Sequence, residues 1–157
     1  MAQLALGLDL PGDAQRAIRA GMAGGTLSGD VKANNLLTLA DKRAAADQVA
    51  LSKAEELAAK TKNGDADVSI GEDYFGYAAY ADAIRMAQAA LAKGGSKMVE
   101  ARLLLGAAQA ASGDNAAGQN GLATVSGDPS MEKAAHLWWL YASRKYGLPA
   151  AQPVAEH

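Results

Sequence analysis

The feature that most constrains this chain is a spaced pattern of small residues. Ile70-Gly71-Glu72-Asp73-Tyr74 is followed by Ala83 and Ala90, and Leu105-Gly106 restarts the pattern thirty-five residues on. Two antiparallel helices approach closely only where one of them lacks a bulky side chain. Gly71 therefore marks where a first helix meets a second. Ala83, Ala87 and Ala90 share one face of that second helix, at three- and four-residue spacings. Tyr74 and Tyr80 fill the wider space beside them.

A second unit runs from about 96 to 125. Its first helix carries Met98, Ala101, Leu105 and Ala108, an i, i+3, i+7, i+10 stripe. Gly113 is a natural terminator and Asp114 a natural cap for the next helix. That next helix contains Gly118 and Gly121, each costing about 0.5–1 kcal/mol against Ala, so it is expected to be short and frayed. Gly118 stands where a close-packing Ala would be expected. Asp128-Pro129 opens a last helix, with Pro in the first turn. Met131, Ala135, Trp138 and Ala142 form its stripe, widened by Leu137, Leu140 and Tyr141, so 131–146 is expected to be largely buried and to stop at Gly147-Leu148-Pro149. Residues 150–157 read as a disordered tail.

The N-terminal part is less regular. Residues 13–23 read as a helix between Pro11-Gly12 and Gly24-Gly25, and 1–10 as the stub of its partner. Residues 31–45 and 48–62 read as the two arms of a long hairpin. No segment shows the alternating β-branched pattern of a strand. The expectation is an all-α domain of about nine helices over 1–149. Its clearest repeats lie at about 65–95 and 97–128, and 129–146 forms a capping helix.

Half of the residues are apolar, but aromatics make up only 5%, and alanine dominates. Such a chain packs its helices closely around a thin core. Net charge is −2 with the signs interspersed, and no basic stripe is present to neutralise phosphates, which argues against nucleic-acid binding. No apolar run reaches the roughly 18 residues of a membrane helix. Residues 1–10 lack the basic start of a secretion signal. Cysteine is absent, which excludes disulfides, thiol catalysis and zinc–thiolate sites.

No catalytic constellation is visible. His136 lies beside Leu137 and Trp138 without a ligand-spaced partner and reads as a partly buried structural histidine. Asp65-Ala66-Asp67 with Glu72-Asp73 resembles the start of a calcium loop, but Gly71 falls one place late and Gly76 stands where the closing Glu belongs. Those carboxylates read as first-turn charges favoured by the helix dipole. Gly113–Gly121 lacks the Gly-Lys-Ser/Thr ending of a phosphate cradle. No cofactor, metal or enzymatic activity is expected.

Residues 65–146 resemble bacterial tetratricopeptide-repeat proteins. The resemblance rests on the Ala90-Leu91-Ala92-Lys93-Gly94-Gly95 turn between hairpins, Leu104-Leu105-Gly106, Ser126-Gly127-Asp128-Pro129 and the Trp138 helix. It covers about half of the chain and implies a right-handed α–α superhelix, a TPR-like solenoid whose first helices line a concave groove. Carried through Gly71 and Gly106, its register places Asp65, Val68, Glu72 and Phe75, then Glu100, Leu103, Ala107 and Ala110, toward that groove. The family's carboxylate-clamp members hold Lys, Arg and Asn at such positions, whereas these are acidic, apolar or small. Binding of a chaperone's C-terminal tail is therefore not expected. The resemblance implies a non-enzymatic protein-interaction or scaffold module, in a bacterial cytoplasm or periplasm, with a protein or peptide partner. A self-assembling or structural segment of a larger repeat protein, a homo-oligomer, and a small-molecule or lipid-binding helical protein stay open as alternatives.

Overall fold

The computed structural model describes residues 2–146, with side chains through Arg144. The tail expected at 150–157 and the stop at Gly147-Leu148-Pro149 lie outside the described residues. Eight helices and no strand are found among the described residues: α1 (Ala2–Gly7), α2 (Pro11–Ala23), α3 (Val31–Ala58), α4 (Asp65–Gly76), α5 (Tyr80–Lys93), α6 (Met98–Ser112), α7 (Asn115–Leu122) and α8 (Pro129–Tyr146).

The count differs from nine because 31–58 is one helix and not a hairpin. Residues Ala44-Ala45-Ala46-Asp47, where the turn was expected, contain no Gly or Pro, and Ala is the best helix former. The helix is therefore continued, at ~1.5 Å per residue, to ~42 Å. Asp30 caps its start by accepting from the backbone N–H of Lys32 (2.7 Å) and Ala33 (3.2 Å). The two halves of α3 serve different clusters. Ala40 packs with Leu6 and Ala14, whereas Leu51 and Ala58 pack with Ile70 and Met86. Where the halves meet, the Tyr77 hydroxyl donates to Asp47 at 2.6 Å, and the ring of Tyr77 lies so near Gly12 that a Cβ there would be 2.7 Å away.

The backbone of each helix packs only on those of helices one or two places away along the chain, so the backbones pack in chain order. The even-numbered helices α2, α4, α6 and α8 form a row of successive neighbours. Small residues set the approach in this stack. A Cβ on Gly71 would lie 3.5 Å from the Ala83 carbonyl and 2.7 Å from Leu104, so the expected meeting of Gly71 and Ala83 across α4 and α5 is present. Gly106 faces Leu122 in the same way, at 2.8 Å from its Cγ. Gly113 ends α6 in the left-handed region (φ 104°), Asp114 caps α7 by accepting from Ala117 N–H, and Asp128 caps α8.

Two expectations need correction. Gly118 is not merely a weak helix residue. A Cβ there would lie 2.6 Å from the backbone N of Ala110, so glycine is what lets α7 sit against α6. Nor is α8 largely buried. Ala135, Ala142 and Ser143 are enclosed, but Leu137, Leu140 and Tyr141 are exposed, because α6 and α7 cover only one side of this last helix. No helix among the described residues is long and apolar enough to cross a membrane.

A buried ion pair joins three helices. Asp67 is enclosed in α4 and accepts from the Lys93 ammonium with both carboxylate oxygens at 2.8 Å. The same ammonium donates to the Ala58 carbonyl at the end of α3 at 2.9 Å. Lys93→Met leaves the Asp67 carboxylate enclosed without its cation. It should cost about 3 kcal/mol in chemical denaturation, near the low end of the range for broken buried pairs because the Lys93 side chain is 21% exposed. The double variant Asp67→Leu/Lys93→Met should recover much of that loss. Gly118→Ala separates two explanations by sign. Helix propensity alone would stabilise by about 0.5–1 kcal/mol. Contact with the Ala110 backbone should instead destabilise by about 1–3 kcal/mol.

Candidate functional site

The row α4–α6–α8 carries the candidate site. Its central feature is a chain of four aromatic rings drawn from three helices. Phe75, near the end of α4, has its ring centre 5.4 Å from that of Tyr80 at the start of α5. On its other side Phe75 meets Trp138 of α8 edge to face, also at 5.4 Å, and Trp138 meets Tyr141 at 5.5 Å. Edge-to-face geometry sets the positive rim of one ring against the negative face of the next. The backbones of α4 and α8 do not pack together, yet α6 contacts both, so Phe75 and Trp138 meet through side chains alone. Leu103 of α6 packs beside Trp138, with Val99, Met131 and Trp139, against the buried Leu122–Val125–Ala135 cluster. Trp138 is half-buried, so the row is a partly wet surface and not a closed core.

The eight positions expected to face a groove divide into three groups. Glu72, Phe75, Glu100 and Leu103 remain partly or fully accessible. Val68, Ala107 and Ala110 are buried and offer no surface to a partner: Val68 is packed against Ala90 and Ala101, and Ala110 against Gly118. Asp65 is half-buried and already engaged. Its carboxylate accepts from Ser96 Oγ (2.7 Å) and the Lys97 backbone N–H (3.0 Å), which fixes the turn between α5 and α6. Those hydrogen bonds hold its pKa below the usual carboxylate range, Ser96 contributing most.

Glu72 is in the opposite situation. Loss of water around its carboxylate raises its pKa, Lys97 opposes the rise, and the negative charge of Glu100 adds to it. Asp73, the next residue, is pushed up to about 6, first by desolvation and then by the charges of Asp47 and Glu72. Both residues keep exposed surface, so the cause is partial desolvation among like charges and not enclosure. Asp73 and Glu72 share a small cleft with Asp9, Asp13 and Asp47, beneath Gly12 and Tyr77. No Lys or Arg lines this cleft; Arg16 reaches Asp13 from outside it.

Sequence reasoning missed Trp138, Tyr80 and Tyr141 as parts of this surface. Trp138 was readable only as a member of the α8 stripe, because its partner Phe75 lies sixty-three residues away. His136, expected to be partly buried, is exposed and stacked parallel to Trp139 at 6.5 Å. Among the described residues no group of three or more His, Asp or Glu is placed to hold a metal ion. No family model matches the chain, and no match was found among curated proteins or among solved structures.

The raised pKa of Asp73 gives a signed pH dependence. A carboxylate with folded pKa about 6 and an unfolded value of about 3.9 destabilises the fold when ionised. Its contribution to stability is full below about pH 4 and is lost as pH rises through about 6. Asp73→Asn removes that loss. The variant should melt higher than the parent at about pH 7, and the gap should close toward about pH 4. Thermal melts of both proteins across this range check it.

Proposed function

We propose that the chain is a non-enzymatic protein-interaction module of TPR-like, right-handed superhelical type. Its α4–α6–α8 face takes a segment of another protein that combines apolar or aromatic side chains with basic ones. The observation that carries this reading is the aromatic row Tyr80–Phe75–Trp138–Tyr141 standing partly exposed on the face that also carries Glu72 and Asp73, whose carboxyls are both raised in pKa. Aromatic rings that keep one face in water supply large contact area at low entropic cost, and such residues tend to dominate interface energetics. Carboxylates whose ionised form is disfavoured first by desolvation and then by like-charged neighbours gain when a cation arrives. A Lys or Arg of the ligand supplies it, and Arg can also lie on a ring face. The packing order of the helices supports the superhelical reading, since backbone packing runs only between helices one or two places apart in the chain.

Selection from a random peptide display library against the folded chain tests this reading. Enriched peptides should pair basic with aromatic or aliphatic residues and lack acidic C-terminal runs. Phe75→Ala should weaken them by more than about 1 kcal/mol while the protein stays folded. Glu72→Lys with Glu100→Lys should mainly slow association, with a smaller effect at high salt. Selected peptides indifferent to both changes would place binding on another surface.

A further inference from the structure

We propose that copies of this chain associate head to tail, the outer face of α8 of one copy seating on the α1–α2 end of the next. Because the backbones pack in chain order, α1 and α8 stand at the two ends of the row, α1 packing on α2 and α3, and α8 on α6 and α7 and, through Trp138, on Phe75 of α4. Repeat stacks stay apart when their terminal helices present polar outer faces. Here both ends are apolar.

At the first end, Leu6 is the inward residue of α1, while Leu4 is 60% and Leu8 62% exposed. With Leu10, Ala5 and Ala17 these leucines line an open, mainly apolar depression of about 560 Å³, at whose edge Arg16 pairs with Asp13. Leu10 and Asp13 belong to this depression and also to the adjoining cleft that holds Asp9, Asp47, Glu72 and Asp73. The first end is thus a leucine surface that carries the Asp13–Arg16 pair and adjoins the carboxylates of the cleft.

At the last end the pattern is the reverse. Lys133, Leu137, Leu140 and Arg144 stand at i, i+4, i+7 and i+11 on α8, one stripe ~16 Å long. Leu137 lies about 200° around the helix from the buried Ala135, so the stripe faces away from α6 and α7. Leu137 is 65% and Leu140 38% exposed. Lys133 and Arg144 make no ion pair among the described residues. The last end is a leucine surface flanked by Lys133 and Arg144, with Glu132 beside Lys133.

The two surfaces complement each other in both respects, and neither complements itself. Two first ends would oppose carboxylates, and two last ends would oppose cations. Opposite charges favour the encounter of unlike ends and disfavour like ones. A contact between unlike faces leaves one of each free, so association continues beyond two copies unless the rotation closes a ring. Tyr141 of the aromatic row borders the α8 stripe, four residues after Leu137, but Phe75 lies on α4, outside both end surfaces, and Phe75→Ala should leave assembly unchanged.

The decisive experiment mixes two end-blocked variants. Leu4→Glu/Leu8→Glu removes the receiving surface, and Leu137→Glu/Leu140→Glu removes the inserting one; all four side chains are exposed, so both proteins should fold. In sedimentation velocity the parent chain should gain mass with concentration beyond a dimer, and less so at high salt. Each variant alone should stay monomeric, and their equimolar mixture should form a one-to-one dimer that grows no further. A parent that is monomeric at all soluble concentrations overturns the proposal, as would be expected if a different protein or a further segment covers these ends. A parent that stops at a dimer, or variants that fail to pair with each other, overturns it in favour of a like-with-like contact or none.

Discussion

The rest of the structure depends on helix backbones coming closer than ordinary side chains allow. At Gly64 and Gly118 the neighbouring helix presents its backbone so near that a Cβ would lie 2.5 Å from the Ala90 carbonyl oxygen and 2.6 Å from the Ala110 nitrogen. These contacts cannot be relaxed by turning a side chain, because backbone atoms are what stand in the way. The enclosed residues are of the same kind: Ala83, Ala87, Ala90, Ala101, Ala108 and Ala110 are almost completely buried. Each alanine removes little apolar area from water, so burial per residue is small. What compensates is the density of short-range attraction when two backbones and their Cβ atoms meet closely. Such a core tolerates neither added volume nor separation.

A core of this thickness encloses Ile18, Met86 and a few leucines but no aromatic ring among the described residues, and this shapes the surface. Trp138, Phe75, Tyr80 and Leu103 lie at the edges of the helix layers, half covered by one another and half open to water. Leu137 and Leu4 are excluded altogether and stand on the two end helices. The apolar surface offered to other molecules therefore follows from the close helix packing. Polar devices then hold the layers in register: the Arg85 guanidinium grips Glu55 at 2.7 and 3.1 Å while Tyr74 donates to the same carboxylate, joining α3, α4 and α5. Lys93 joins the same three helices from the other end through Asp67 and Ala58.

Parts of this arrangement that depend on local sequence could be read directly. Gly71 against Ala83, the Gly113 terminator, and the Asp114 and Asp128 caps are all signalled within a few residues of where they act. The long α3 was legible too, since Ala44-Ala45-Ala46 contains nothing to break a helix, and the apolar positions of the two expected arms sit on one continuous helix. Other features could not be read this way. The register of α4 and α6 places Val68, Ala107 and Ala110 on one face, but only the packing of Ala90, Ala101 and Gly118 over that face removes them from view. The Phe75–Trp138 contact joins two helices whose backbones never meet, so no periodicity in either one announces it.

Charge shows the same division between what composition states and what the fold produces. A net charge of −2 with interspersed signs describes an unremarkable surface. Folding sorts those charges. Asp9, Asp13, Asp47, Glu72 and Asp73 come from α2, α3, α4 and the turn after α1, and converge on one cleft beside Tyr77. Lys133 and Arg144 project from the far side of the last helix. The Gly12–Tyr77 contact sets the start of α2 against the end of α4, and both residues line this cleft. Desolvation there, joined by the charges of Asp47 and Glu72, raises the pKa of Asp73 to about 6. The fold thus holds like charges together at a cost in stability, and that cost is lowered whenever a cation reaches the acidic cleft.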